Sequence, residues 1–281
     1  MKLMRVGPAG AERPAVLTDD GSPRDLSGVA PDIDGAFLAG DGLSLARDAL
    51  AAGLPEIAPG ARVGPPLARP PKVVCIGLNY RDHAAETGAP IPAEPIVFMK
   101  APSTVVGPDD EVLIPRGATK TDYEVELAVV IGATARYLDG PDDAPAVIAG
   151  YAASNDVSER AFQLERGGQW VKGKSCETFN PLGPWLVTAD EITDPQALPL
   201  RLWVNGELRQ NGTTKDMIFG VHHLVWYVSQ FMVLEPGDIV NTGTPAGVAL
   251  GSADTGYLRP GDVVELEIEG LGRQRQTLGQ A

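Results

Sequence analysis

The clearest pattern in the chain is the alternation from Asp122 to Gly132, D-Y-E-V-E-L-A-V-V-I-G. Successive side chains of a strand point to opposite faces. Val125, Leu127, Val129 and Ile131 therefore share one face, and Glu124, Glu126, Ala128 and Val130 the other. Other apolar runs read as strands: K-V-V-C-I-G-L from Lys72, the stretch Pro95 to Met99, and A-V-I-A-G-Y-A-A-S from Ala146. Within L-R-L-W-V-N-G-E-L-R-Q the N-G pair signals a hairpin, and the same P-G-D turn at Pro236 and Pro260 introduces two further strands. Helical patterns are few. They cover Ser44 to Ala52, a turn in N-Y-R-D-H-A-A-E, the segment N-D-V-S-E-R-A-F-Q-L-E after Ser154, and Gly220 to Met232. A β-rich α+β fold follows.

The start of the chain is more weakly patterned, with short strands at Lys2 to Val6 and Ala15 to Leu17 around a D-D-G turn. Six prolines between Leu54 and Pro71 read as an extended linker. They divide a small N-terminal domain, residues 1–70, from a body of residues 71–281. With 33 glycines and 25 prolines but no G-X-Y period, these residues serve as turns between strands, not as a disordered tract. A net charge of −14 argues against nucleic acid and against an anionic membrane, since both need a basic face. Only two cysteines occur, in unlike settings, so no disulfide framework is expected. No apolar run approaches the ~18 residues of a membrane span, and the first residues lack a signal-peptide core. A cytoplasmic protein is the expectation.

Several residues could carry chemistry. Glu124 and Glu126 lie side by side on one strand face. This describes a solvent-facing strand equally well, except that Ala128 and Val130 continue the same face. Like charges placed so close at the mouth of something buried need a cation. Asp156 ends a buried strand, where it would serve either as a helix N-cap, with Glu159 three residues on, or as a third acid. Three carboxylates without clustered His or Cys favour a hard divalent ion, Mg²⁺ or Mn²⁺, over zinc. His83 and Glu86, three apart on a helical turn, form either an exposed ion pair or a His held by a carboxylate as general base. Lys174 and Arg160 are candidate anion contacts. The T-G-T-P-A-G loop from Thr242 to Gly247 offers hydroxyls and backbone N–H groups for a carboxylate, or is simply a tight turn. His222 and His223 sit in an amphipathic helix and receive no role.

The order of these segments resembles one family. I-G-L-N-Y-R-D-H-A-A-E, E-P-I-V-F-M-K, D-Y-E-V-E-L-A-V-V-I-G, N-D-V-S-E-R, K-G-K-S and L-E-P-G-D-I-V-N-T-G-T-P-A-G-V, spread from Lys72 to Gly270, are similar to the fumarylacetoacetate hydrolase superfamily, in its short acylpyruvase-like branch. Within that branch N-D-V-S-E-R, E-R-G-G-Q-W and G-K-S look most like 2,4-diketo-3-deoxy-L-fuconate hydrolases. The resemblance implies a twisted β-roll core with a small N-terminal domain, usually as a homodimer. It implies Mg²⁺ or Mn²⁺ held at Glu124, Glu126 and Asp156, with Lys174 contacting substrate at the metal. It places His83 and Glu86 on a water-activating dyad, and Arg160, Gln163 and Thr244 near the carboxylate end of a small 2-oxo acid. The reaction so implied is hydrolysis of the C–C bond of a 2,4-dioxo acid to pyruvate and a carboxylic acid. Oxaloacetate decarboxylation or a related lyase or isomerase reaction is the alternative, and a non-catalytic metabolite-binding homologue the remoter one.

Overall fold

Two packed sheets make up most of the computed structural model, which describes residues 1–252 and 256–281. The larger sheet runs Pro23–Asp25, Arg13–Leu17, Lys2–Val6, Leu186–Thr188, Ile148–Asn155, Val125–Ile131, Ile239–Asn241, Val73–Gly77 and Ile96–Lys100, with Val63–Gly64 attached to Lys2–Val6. Its pairings are antiparallel apart from Ile239–Asn241 beside Val73–Gly77. The smaller sheet runs Glu207–Thr213, Pro199–Val204, Val263–Ile268, Gly272–Gln280 and Val112–Ile114. Helices are short; among the described residues the longest is Gly42–Ala52. None is long and apolar enough to cross a membrane. This is the β-rich α+β class that the alternating patterns predict.

The alternation along Val125–Ile131 has an unexpected meaning, because every residue of that strand is buried. Val125, Leu127, Val129 and Ile131 enter the core between the two sheets, with Leu200, Leu202, Val264 and Leu266. Ala128 and Val130 enter a second core with Leu3, Val16, Phe37 and Leu38. The period of two therefore separates two interiors, with no wet face, and the solvent-facing reading of Glu124 and Glu126 is overturned. Residues 1–70 supply the second core's other half. Their strands extend the large sheet, and the helices Gly35–Ala39 and Gly42–Ala52 contribute Phe37, Leu38 and Ala46 to its burial. The proline-rich stretch lies against this layer, with Val63–Gly64 paired to Lys2–Val6 and the Ala68 N–H donating to the Ile33 carbonyl.

The helix expected over N-D-V-S-E-R-A-F-Q-L-E is much shorter than its pattern. Only Arg160–Leu164 is helical, while Ser158–Glu159 pairs with Thr121–Asp122 as a small two-stranded sheet. Glu159, not Asp156, caps the helix by accepting from the Ala161 N–H, and it also accepts from Lys120 N and Thr121 Oγ1. That frees Asp156 for other partners.

The strand Val73–Gly77 delivers the chain to Asn79, which is fully buried. Its Nδ2 donates to the carbonyls of Phe219 (3.0 Å) and Thr242 (2.8 Å), and its Oδ1 accepts from Phe219 N at 2.9 Å. One amide thus ties three segments together just ahead of the helix Arg81–Glu86. Replacing it leaves several buried groups unpaired, each worth roughly 1–3 kcal/mol. Asn79→Ala should therefore lose about 2–4 kcal/mol in urea unfolding. A variant as stable as the parent would show that water takes over these bonds.

Candidate active site

Asp122, Glu124 and Glu126 are successive residues on one side of a buried stretch, and the register Val125 opposite Asn155 brings Asp156 beside them. Oxygens of Glu124, Glu126 and Asp156 all lie within 4.8 Å of one another, and all three residues are buried. Three cations are interleaved with these acids. Arg160 donates from Nε to Asp122 (2.8 Å) and from Nη2 to Glu124 (2.6 Å). Lys174 Nζ lies 2.7 Å from Glu124 Oε2 and 2.9 Å from Asp156 Oδ2, and Lys100 Nζ donates to Asp156 Oδ1. Asp122 and Lys100 are absent from the sequence reading. The first continues the i, i+2 spacing of Glu124 and Glu126, and the second shares a strand face with Phe98, so both could have been found by extending the alternation one step.

Four buried carboxylates face three cations, and the one left over is Glu126. Among the described residues its only hydrogen bond is from the Gly243 N–H at 2.8 Å. Burial pushes its carboxyl well above the usual range, and Asp156 and Glu124 push it the same way, with Lys174 and the Gly243 N–H offsetting only part. Burial would raise Glu124 too, but Lys174 and Arg160 hold it below the ordinary carboxylate range. The Lys174 ammonium, against its own burial, is held above its usual value by Asp156 and Glu124.

His83 and Glu86 form the other half of the site. Glu86 Oε1 lies 2.7 Å from His83 Nδ1, and Glu86 Oε2 accepts from the Gly247 N–H at 2.9 Å. His83 is only 7% exposed, so the exposed-ion-pair reading does not hold. With Nδ1 engaged, Nε2 is the ring nitrogen left for other work. A cavity of about 180 Å³ brings His83 together with Glu124, Glu126, Arg160, Gln163, Lys174 and Thr244. Asp156 and Glu86 stand behind that lining. Gln163 Oε1 accepts from Arg160 Nη1 at 3.1 Å. The Thr244 hydroxyl donates to the Val125 carbonyl and accepts from Gln210, so it is engaged at both ends. The T-G-T-P-A-G loop directs two N–H groups at the protein's own carboxylates, Glu126 and Glu86. His223 stacks on Phe219 outside the cavity lining.

This fold and this site define a class, and comparison with known proteins gives it a family. The model described as Fumarylacetoacetate (FAA) hydrolase C-terminal matches residues 72–279, and the chain belongs to that family of enzymes. A Burkholderia multivorans protein named "Putative hydrolase" is 51% identical over 279 residues, covering 98% of each chain. The fumarylacetoacetate hydrolase of Exiguobacterium antarcticum superposes with a TM-score of 0.87 at 36% identity, over 100% of both chains. Maleylpyruvate hydrolase from Sphingobium sp. SYK-6, solved with manganese(II) and pyruvate, gives 0.82 at 30% identity, again over 100% of both.

The three-acid cluster fits a hard divalent ion, because its donors are all oxygens and Glu126 lacks a counter-charge. Protonation of Glu126 and binding of a cation therefore compete. In metal-free protein the raised Glu126 contributes stability at low pH that is lost as pH rises through its folded-state value. Glu126→Gln removes this slope, so the metal-free variant should melt at or above the parent temperature at pH 8. At a fixed Mn²⁺ concentration near 100 times the pH 8 Kd the parent should gain about 2.7 kcal/mol at pH 8 and less at pH 6, and the variant little or none. Thermal melts with and without Mn²⁺ at both pH values decide it; a full Mn²⁺ gain in the variant excludes Glu126 as a ligand.

Proposed function

We propose that the chain hydrolyses the C–C bond of a 2,4-dioxo acid of the acylpyruvate type, with Mg²⁺ or Mn²⁺ held by Glu124, Glu126 and Asp156. The observation that carries this reading is the presence, in one cavity, of an uncompensated buried carboxylate and a histidine already oriented by a second carboxylate. The manganese and pyruvate of the maleylpyruvate hydrolase structure support it. Such an ion supplies Lewis-acid stabilisation to the 2-oxo and carboxylate oxygens of the substrate.

The protein's own groups do the rest. Arg160, Gln163 and Thr244 border the carboxylate end, and Lys174 adds a positive charge where negative charge develops. Glu86, held by the Gly247 N–H, fixes the His83 ring so that Nε2 removes a proton from water. The hydroxide adds to the C4 carbonyl and the C3–C4 bond breaks. Its electron pair passes to the three-carbon fragment, which leaves as pyruvate once C3 is protonated, and the acyl part leaves as a carboxylic acid.

The reading includes a cytoplasmic homodimer. The surface that supports a second copy is the free edge of the large sheet. There Met99 (36% exposed) lies on the outer face of Ile96–Lys100, and Val97 on that face lines a groove with Tyr227, Phe231 and Met232. Light scattering at twice the mass of one chain is the outcome expected.

Decarboxylation of oxaloacetate would need the metal but no hydroxide, so the dyad discriminates the two reactions. His83→Ala should lower kcat on an acylpyruvate roughly 10²–10⁴-fold, while oxalate, which mimics the 2-oxo carboxylate, still binds the metal-loaded protein. The same variant should depress pyruvate release from oxaloacetate far less. The measurements are the loss of acylpyruvate enol absorbance and coupled detection of pyruvate, each with Mg²⁺ in excess. Equal losses in the two reactions, or a parent enzyme preferring oxaloacetate, move the assignment to a decarboxylase.

A further inference from the structure

The charged floor occupies only part of the cavity. The remaining lining includes Leu78, Ala89, Phe98, Leu164, Trp170 and Leu250. Two of these have a defined position: Leu164 and Leu250 are 43% and 37% exposed, so they form the rim. Phe98 lies deeper, with Lys174 Nζ 5.1 Å from its ring centre and Trp170 packed edge-on at 5.4 Å. Trp170 also anchors the short helix Val171–Lys174, since the Lys174 N–H donates to its carbonyl. The apolar wall and the charged floor are thus joined through one aromatic pair.

Leu78 is the most informative member. It adopts φ = 50°, a conformation that costs a leucine energy and that its surroundings must enforce. The enforcing neighbour is Asn79, with its three buried hydrogen bonds. A leucine is thereby held at the cavity by a backbone better suited to glycine.

The charged groups and hydroxyls bordering this wall are already committed, and the donors left among the described residues, apart from the His83 ring, are the neutral Gln163 Nε2 and Trp170 Nε1. Arg160 uses Nε, Nη1 and Nη2 on Asp122, Gln163 and Glu124, and Lys174 lies between Glu124 and Asp156. Thr87 donates to the His83 carbonyl, and Thr244 is engaged at both ends. Among the described residues lining the cavity, Arg160 and Lys174 are the only Lys or Arg. A second carboxylate placed against this wall would meet no uncommitted cation, and it or a chain of hydroxyls would lose more water contacts than the two neutral N–H groups of Gln163 and Trp170 replace. A hydrocarbon group loses nothing there. A cavity of about 180 Å³ is slightly larger than the ~150 Å³ that accommodates benzene, which limits how much of that group is enclosed.

Building on the hydrolase reading, we infer that this wall selects 2,4-dioxo monocarboxylates whose C4 substituent is a short uncharged hydrocarbon, with Leu78, Trp170 and Leu250 as the specificity-determining residues. Dicarboxylates such as maleylpyruvate and polyhydroxylated diketo acids are excluded as good substrates, which sets aside the 2,4-diketo-3-deoxy-L-fuconate assignment that the sequence motifs favour.

The test uses the full chain loaded with Mn²⁺ and compares kcat/KM for butanoylpyruvate, maleylpyruvate and 2,4-diketo-3-deoxy-L-fuconate, alongside calorimetric binding of oxalate. Butanoylpyruvate should lead each of the others by about 100-fold or more. Leu250→Arg, a substitution at the exposed rim, should narrow the gap to maleylpyruvate by about tenfold. Leu78→Gly suits the local backbone and should still fold. It should lower kcat/KM for butanoylpyruvate about tenfold or more while oxalate binds as in the parent. A parent enzyme that binds oxalate but prefers maleylpyruvate or the sugar-derived acid overturns this inference alone. So does a Leu78→Gly variant with undiminished kcat/KM for butanoylpyruvate, or a Leu250→Arg variant with an unchanged substrate ratio. A parent that neither binds oxalate nor cleaves any of the three acids overturns the hydrolase reading, and this inference with it.

Discussion

Four carboxylates buried among three cations constrain everything else in this molecule. Removing ions from water costs several kcal/mol each, and attraction within the group repays this only where geometry is held closely. The protein meets that demand by giving Glu124 and Asp156 two cations or cationic contacts each, and Asp122 the Arg160 guanidinium with the N–H groups of Ala249 and Leu250. Glu126 is the exception. It is kept next to two other acids with one backbone N–H, an arrangement with no stabilising purpose in the protein by itself. A scaffold would gain by replacing it. A hard divalent ion would supply the counter-charge that Glu126 lacks.

The same constraint explains why the central strand is buried on both faces. Were Ala128 and Val130 wet, water would reach Glu126 along the face they share and screen the charges around it. The N-terminal seventy residues prevent this by placing Leu3, Val16, Phe37 and Leu38 under that face. They contribute no side chain to the cavity, yet they cover the same face of the strand immediately beyond Glu126. Lys100 reaches Asp156 from the edge strand Ile96–Lys100, with Phe98 and Lys100 turned inward and Met99 outward. One strand thus supplies a counter-ion, an aromatic wall and an outer surface by simple alternation.

Much of this was legible in the sequence, because the periods of Lys72 to Gly77, Asp122 to Gly132 and Ala146 to Ser154 are set by local backbone geometry. The carboxylates followed from those periods. What lay outside local reasoning was which faces would be covered. Nothing in D-Y-E-V-E-L-A-V-V-I says that Leu3, Val16, Phe37 and Leu38, ninety or more positions earlier, will dry its second face, so a wet strand and a buried one remain equally good readings. The segment Asn155 to Glu165 failed for a related reason. Its apolar spacing suits a helix, but Thr121–Asp122 offers backbone partners to Ser158–Glu159, and tertiary pairing prevailed over propensity. The commitment of Arg160, Lys174 and Thr244 to neighbours was invisible for the same cause, since each partner comes from a distant segment.

The two halves of the site are also not independent, and the loop Thr242 to Gly247 is why. Its Gly243 N–H holds Glu126 and its Gly247 N–H holds Glu86, so the lone acid and the histidine's orienter hang from one five-residue stretch. Both glycines have positive φ, 95° and 110°. A Cβ at Gly247 would come within 2.0 Å of the Arg209 carbonyl, and one at Gly243 within 2.8 Å of Asn79 Cβ. The loop is therefore clamped between the small sheet and the Asn79 turn, which also presents Leu78 and leads into the helix of His83. A displacement of that turn moves His83, Leu78 and the Glu126 contact together. The separation of Glu126, the His83–Glu86 pair and Leu78 is thus set by backbone packing around two glycines and one asparagine, not by those side chains themselves.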